Sequence, residues 1–528
     1  MKQKLLSAAV LATLAVAANS AFALAPGAFD PTTIPQVYMS GATAQNGGID
    51  NVVRLLCADT TLDAYATAKQ VVYVCNAAAG TTLTTAGFTA GNPIAIHKES
   101  NGGSGNGLAP VRDATTLGFV DLSPVVAGQT VCTVDTASSV VAQTVGTAVL
   151  AAKTVWNCTN ATVAHAPDIG FSDVDPAVFN TATASTVVPG NTLSVFSPNQ
   201  LIFGVPVTIA FRNALQKAQG LTVGSDLIVD TPSLTNAQIA GIYTGRLNTA
   251  AKIDPKMLTT SGTPDTTPVY LLRRGTSSGT QKTAEVIFLN GNITNAANTT
   301  NGFKAPTAAY NSVTASTGYV AGTSAGGCGD ATLAPATTTV FAGSANEEVV
   351  NCFNRHNLGG RYAAGILTTE FNQFASPASS SAAIDTLDAT HPWGTTGFRF
   401  VKVNGYLPTV GNVIRGNYEF FSEQVITTLG TGTTGTAAQV APAIVAELGN
   451  ATNVTTINNN FTKWTDAPAG EQTSGLVKPA ASAACKGTFA SLGTTPDSDP
   501  VNFVTKNPTG TKTANAIKPA LAVCPPRF

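Results

Sequence analysis

The chain has 528 residues, of which 44% are apolar and only 11% charged, with 28 Lys and Arg against 29 Asp and Glu. Soluble domains usually carry about 25% charged residues. So little charge excludes an acidic or basic disordered tail, and it excludes a nucleic-acid partner, because a polyanion is neutralised by clustered Lys and Arg. Ala, Thr, Gly, Asn and Ser replace the charge, a mixture common in exported proteins, and the length calls for more than one lobe.

Lys2 and Lys4 precede an uncharged, mostly apolar stretch at 5–18, followed by Ala21-Phe22-Ala23, an A-x-A cleavage signal. That stretch is shorter than the roughly 20 residues that span a bilayer. Residues 1–23 therefore read as a signal peptide, and the mature chain as periplasmic or extracellular. Residues 37–40 read as a strand, 50–57 as a helix, and 93–97 as a second strand ending in a Gly-rich run at 101–107. Residues 111–165 read as an inserted, disulfide-tied hairpin, and 168–172 as a strand edge. An apolar strand at 201–211 continues into a helix at 212–219. A helix at 235–243, a strand at 269–273 and a helix at 281–289 follow. Residues 290–350 read as a long loop excursion, and the tail from about 425 is again rich in Thr, Gly and Asn. Alternating strands and helices are the α/β signature.

All eight cysteines, Cys57, Cys75, Cys132, Cys158, Cys328, Cys352, Cys485 and Cys524, lie beyond the signal. An even number in an exported chain favours disulfides, and sequential pairing is preferred, although spacing does not fix connectivity. There is no C-x-x-C, and His97, His165, His356 and His391 are scattered. Neither a metal nor a cofactor is expected.

Three turns share one form in which a strand ends, Ser or Thr and Gly follow, and a helix begins: Ser40-Gly41-Ala42-Thr43, Gly103-Ser104-Gly105 and Ser278-Gly279-Thr280. Each can offer backbone N–H groups, a hydroxyl and the positive end of a helix dipole, an anion site needing little formal charge. Each can equally be an ordinary turn with a Ser or Thr cap.

The order of these turns resembles the phosphate-binding periplasmic proteins of ABC transporters. The first two resemble that family's GAT and GSG turns. Gly170-Phe171-Ser172-Asp173, the helix and turn from Thr235 to Leu247, the turn Arg273-Arg274-Gly275-Thr276-Ser277-Ser278-Gly279-Thr280, and the segment from Asn404 to Tyr418 resemble further family segments. The resemblance covers residues 35–425 discontinuously. It implies an α/β, two-lobed type II fold with β-rich and loop insertions: lobe 1 at 24–197, lobe 2 at 198–397, and a return to lobe 1 with a C-terminal extension at 398–528. It implies phosphate or a related small oxyanion as ligand, and an inner-membrane ABC permease as partner. The implied contacts are Thr43, the Ala44 amide, Ser104, Asp173, Arg274, Ser278, Gly279 and Thr280. Thr276 stands where the family commonly has an acidic residue two after the arginine, which leaves the orientation of Arg274 open.

Asp173 bears on the choice of anion. A carboxylate repels an oxyanion unless the ligand donates a proton to it. Hydrogenphosphate and dihydrogenphosphate can donate, whereas sulfate at neutral pH cannot. Two other classes stay open. Gly275-Thr276-Ser277-Ser278-Gly279 satisfies G-x-S-x-G, so Ser277 could serve a hydrolase with Asp385 or Asp388 and His391. Low charge, disulfides and insertions would also suit a surface structural or adhesive protein on the same fold.

Overall fold

The computed structural model describes residues 25–289, 340–371, 397–430, 432–461 and 472–477, apart from 28, 59–61, 68, 128–130, 146–147, 160–161 and 180–183. The expected export signal, most of the 290–350 excursion and most of the extension past 461 lie outside the described residues. So do Cys328, Cys485 and Cys524.

Two nine-stranded mixed sheets carry the chain. The first runs Leu193–Phe196, Val425–Leu429, Ile169–Ser172, Gln36–Gly41, Pro93–Glu99, Gln70–Asn76, Leu62–Ala66, Lys153–Cys158, Cys132–Val140. The second runs Ser233–Leu234, Phe398–Val403, Gln200–Thr208, Tyr362–Gly365, Val269–Arg274, Val340–Gly343, with three short strands added along Gln200–Thr208. Every residue of Gln200–Thr208 is buried, as befits the middle of a sheet. Helices cover the faces of both sheets. Asn46–Leu56 is typical, burying Ile49, Val52, Val53 and Leu56 at helical spacing, each side chain contributing about 1.5–3 kcal/mol. The architecture is α/β with two lobes.

The chain crosses between sheets at Ser197–Asn199 and at Gln424, and once more before Leu476–Val477, which pairs with Gln200–Thr208. The first two are tied together, since Gln424 N donates to Asn199 O at 3.0 Å and Ser197 Oγ to Gln424 O at 3.2 Å. This corrects the expected return at 398. Phe398–Val403 stays in the second sheet, pairing antiparallel with Gln200–Thr208 from Val205↔Val401 to Thr208↔Phe398, because Phe398, Phe400 and Val401 bury their side chains there.

Two further expectations are corrected. The strand expected to reach 211 ends at Thr208, which adopts the extended geometry of an N-cap, and Ile209–Ala218 is helical. Asn357 Oδ1 accepts the Ile209 N–H at 3.1 Å, satisfying one donor of that first turn. The end of the supposed loop excursion is ordered: Val340–Gly343 is a strand and Asn346–Leu358 a helix, burying Val349, Val350 and Phe353.

Within 111–165, Cys132–Val140 pairs antiparallel with Lys153–Cys158, placing Cys132 opposite Cys158. Disulfides join Cys132 to Cys158 and Cys57 to Cys75, across 26 and 18 residues. Loops of this size are stabilised by about 3 kcal/mol each in the chain-entropy picture. Cys352 is disulfide-bonded as well. Disulfides form and persist in oxidising compartments. Among the described residues no helix is long and apolar enough to cross a membrane.

One buried carboxyl gives the fold a pH dependence. Asp63 accepts the Trp156 indole N–H at 2.8 Å, and burial pushes its pKa up to about 6. Because the folded state favours the protonated form, this group's contribution is full below about pH 4 and is lost as pH rises through 6. Asp63→Asn keeps an acceptor for Trp156. It is expected to stabilise the fold at pH 8 by roughly 1–3 kcal/mol, with no gain near pH 3.5. Denaturant melts at the two pH values check this; equal shifts at both would refute it.

Candidate functional site

Strand register decides where the turns fall. Gln36–Gly41 runs parallel to both Ile169–Ser172 and Pro93–Glu99, with Gly41 opposite Phe171 and Ser40 opposite Glu99. The turns holding Thr43, Ser104 and Asp173 therefore leave the same edge of the first sheet. In the second sheet Val269–Arg274 runs parallel to Val340–Gly343, with Arg274 opposite Gly343, so the turns at 275–280 and 344–346 also share an edge. Ligand sites of α/β sheets lie at such carboxyl ends of parallel strands.

Gly41 lets the first-sheet turns close. Its φ is +113°, and a Cβ there would lie 2.1 Å from Phe171 O and 2.7 Å from Gly107 Cα. Ala42 N donates to Phe171 O at 2.9 Å, and Ser40 Oγ to Asn106 O at 2.6 Å.

The two edges meet. Arg274 Nη1 donates to Thr43 Oγ1 at 2.9 Å, joining residues 231 positions apart. Thr280 Oγ1 donates to Asp173 Oδ2 at 3.1 Å, and Asp173 N donates to Ser104 Oγ at 3.1 Å. Gly105 N donates to Ser277 O at 2.9 Å. Gly279 is essential to this approach, since a Cβ there would stand 2.5 Å from Ser104 Oγ and 2.8 Å from Asp173 Cβ. Ser278 Oγ accepts the Gln281 N–H at 3.4 Å, capping helix Gly279–Leu289. Ala44 sits within the single helical turn Thr43–Gln45. All eight residues named from the sequence thus lie at one junction between lobes, and Thr43, Ala44, Ser104, Asp173, Arg274, Ser278 and Thr280 are buried.

Neutral oxygens of its own lobe help to orient Arg274. Its remaining donors go to Ser344 O at 2.8 Å, Gly343 O at 3.3 Å and Asn346 Oδ1. Neighbouring Arg273 alternates to the other face of its strand, within electrostatic reach of Tyr243. Burial raises the Asp173 pKa, while Gln45, Arg274, Thr280 and Ser104 oppose the rise. A second buried cation lies below the first turn, where Lys98 Nζ donates to Gly41 O at 3.1 Å. Across the rim, Lys69 Nζ of the first lobe pairs with Glu348 Oε1 of the second at 3.1 Å and donates to Ser344 Oγ at 3.1 Å. The helix following the first turn is engaged from the other lobe, with Gly47 N donating to Glu370 Oε2 at 2.9 Å.

Three polar residues that no sequence motif marks also stand here. Gln45 Nε2 donates to Asp173 Oδ1 at 3.2 Å, and Gln424 Nε2 donates to Gln45 Oε1 at 2.9 Å. A hydrogen-bonded chain thus links a crossing strand to the site. Asn346 is the third, at the start of the unforeseen helix. Its signal in the sequence is the apolar spacing of Val349, Val350 and Phe353, which marks a helix but not a ligand.

Ser277 is solvent-exposed, and its carbonyl rather than its hydroxyl makes the contact at the junction. Asp385, Asp388 and His391 lie outside the described residues. Among the described residues no group of three or more His, Cys, Asp or Glu could hold a metal ion.

No family model matches the chain, and no curated protein does. Among solved structures it is similar to a protein assigned as a phosphate ABC transporter substrate-binding protein, with bound phosphate, from Clostridium perfringens. The identity there is 12% and the TM-score 0.38, over 83% of this chain and 99% of that one. An ABC-type phosphate transport receptor from Vibrio cholerae is similar at 11% identity and TM-score 0.33, over 80% and 96% of the two chains. At such low scores the site stands on its own geometry.

Proposed function

We propose that this protein is an exported solute-binding protein that captures phosphate between its lobes. The observation that carries this reading is the convergence of Thr43, Ser104 and Asp173 from one sheet edge with Arg274, Ser278, Gly279 and Thr280 from the other. The set matches a small tetrahedral oxyanion: hydroxyls, backbone N–H groups and a helix terminus for its oxygens, one guanidinium for its charge, and one carboxylate for its proton. Asp173 already accepts from Gln45 and Thr280. Each carboxylate oxygen has a second lone pair, which a P–O–H group can fill.

The mechanism is reversible capture without covalent chemistry. With the lobes apart, the first-lobe turns and Arg274 are separated and solvated. The anion bridges them, and the lobes close about the paired crossings at Ser197–Asn199 and Gln424. Closure removes water, strengthening each charge-assisted bond, and the Lys69–Glu348 pair forms at the rim. Handing phosphate to an ABC-type permease completes the reading. Isothermal titration of the mature chain with inorganic phosphate, sulfate serving as control, tests it.

A further inference from the structure

We infer that Asn346, with the N-terminus of helix Asn346–Leu358, forms an additional donor element that binds the oxyanion directly beside Arg274. This rests on the reading of the junction as an anion site.

The helix has 13 residues, and its N-cap, Ala345, has no side chain able to cap it. Its positive dipole end is therefore not capped by its own N-cap side chain. Asn346 N donates to Thr43 Oγ1 at 3.4 Å, which places that terminus against the first turn of the opposite lobe. The Asn346 side chain is an independent observation. It is fully buried, and its Oδ1 accepts from Arg274 Nη1. A guanidinium only donates, so the amide orientation is settled by chemistry, and the other arm is Nδ2. That Nδ2 is buried and has no hydrogen-bond partner. A buried NH2 without an acceptor is unfavourable. Thr43 Oγ1 already accepts from Arg274 Nη1. An oxygen of a bound oxyanion held by Arg274 supplies the missing acceptor.

The consequence is an oriented ligand. Asp173 accepts from the protonated oxygen, while Arg274 and Asn346 together donate to unprotonated ones. The favoured species is a monoprotonated, doubly charged tetrahedral oxyanion.

Two substitutions separate direct binding from mere positioning of Arg274. Asn346→Asp keeps the shape and the oxygen that holds Arg274, but replaces the donor Nδ2 by an anionic oxygen. Asn346→Ala removes both. With inorganic phosphate at pH 8, direct donation predicts about 10-fold weaker binding for N346A, and a larger loss, approaching 100-fold, for N346D. A positioning role alone predicts the reverse order, because a carboxylate holds Arg274 at least as well as an amide. N346D within twofold of the parent protein would overturn the inference. If N346A does not fold, the near-isosteric N346D decides alone; if N346D does not fold, N346A within twofold of the parent overturns the inference. A parent protein that binds no phosphate defeats the underlying reading. A parent that binds, with variants that bind equally, defeats this inference only.

Discussion

Replacing Arg274 by methionine is expected to weaken phosphate binding by about 10²- to 10³-fold, the cost of deleting one partner of a buried, hydrogen-bonded charge pair. The guanidinium is buried at the junction and reaches Thr43 across the lobes. Its partners in its own lobe, Gly343 O, Ser344 O and Asn346 Oδ1, are all neutral. The Asp173 carboxylate lies within electrostatic reach of Arg274, and a dianion arriving at Thr43 meets a guanidinium whose hydrogen bonds to Gly343, Ser344 and Asn346 leave its charge in place. Methionine keeps the apolar stem and much of the volume, so the second sheet should survive. Arg274→Lys keeps the charge but loses the planar fork, and an intermediate loss is expected. Titration calorimetry with circular dichroism as the folding control reads both. A folded R274M protein binding within tenfold of the parent would show that the arginine serves the fold rather than the ligand.

Asp173→Asn is expected to change selectivity more than affinity. A carboxylate against a fully ionised sulfate is a like-charge contact costing several kcal/mol, whereas hydrogenphosphate turns the same contact into a hydrogen bond. An asparagine can donate to sulfate and still accept from Gln45, while the Thr280 hydroxyl can rotate to accept. The ratio of phosphate to sulfate affinity should fall by about 10² or more, chiefly through gained sulfate binding. Burial holds the Asp173 carboxyl above its ordinary range. In the parent protein sulfate binding should therefore appear as pH falls and Asp173 becomes a donor, and it should not vary this way in D173N. Unchanged selectivity in competition titrations would make Asp173 a structural cap.

The junction was largely legible because its parts are local. Ser, Thr and Gly at the ends of short apolar runs mark turns wherever they occur, and Gly41 and Gly279 are required by approaches that any Cβ would block. Asp173 directly follows the short strand Ile169–Ser172, and Arg274 ends the strand Val269–Arg274 after an apolar run. What escaped depends on pairing between distant segments. Phe398–Val403 alternates like any strand, and only its register on Gln200–Thr208 assigns it to the second sheet. Asn346 follows a strand that lies parallel to Val269–Arg274, and nothing near it in sequence states that neighbour. Gln45 and Gln424 become a linked pair only when the crossing at 424 is brought against the first turn.

The central claim is that one tetrahedral oxyanion carrying a proton binds between the lobes. Isothermal titration of the mature protein at pH 7.5, first with inorganic phosphate and then with sulfate, tests it most directly. One phosphate per chain is expected, with sulfate at least about 10²-fold weaker. No phosphate heat at millimolar ligand, or equal affinity for the two anions, would contradict it.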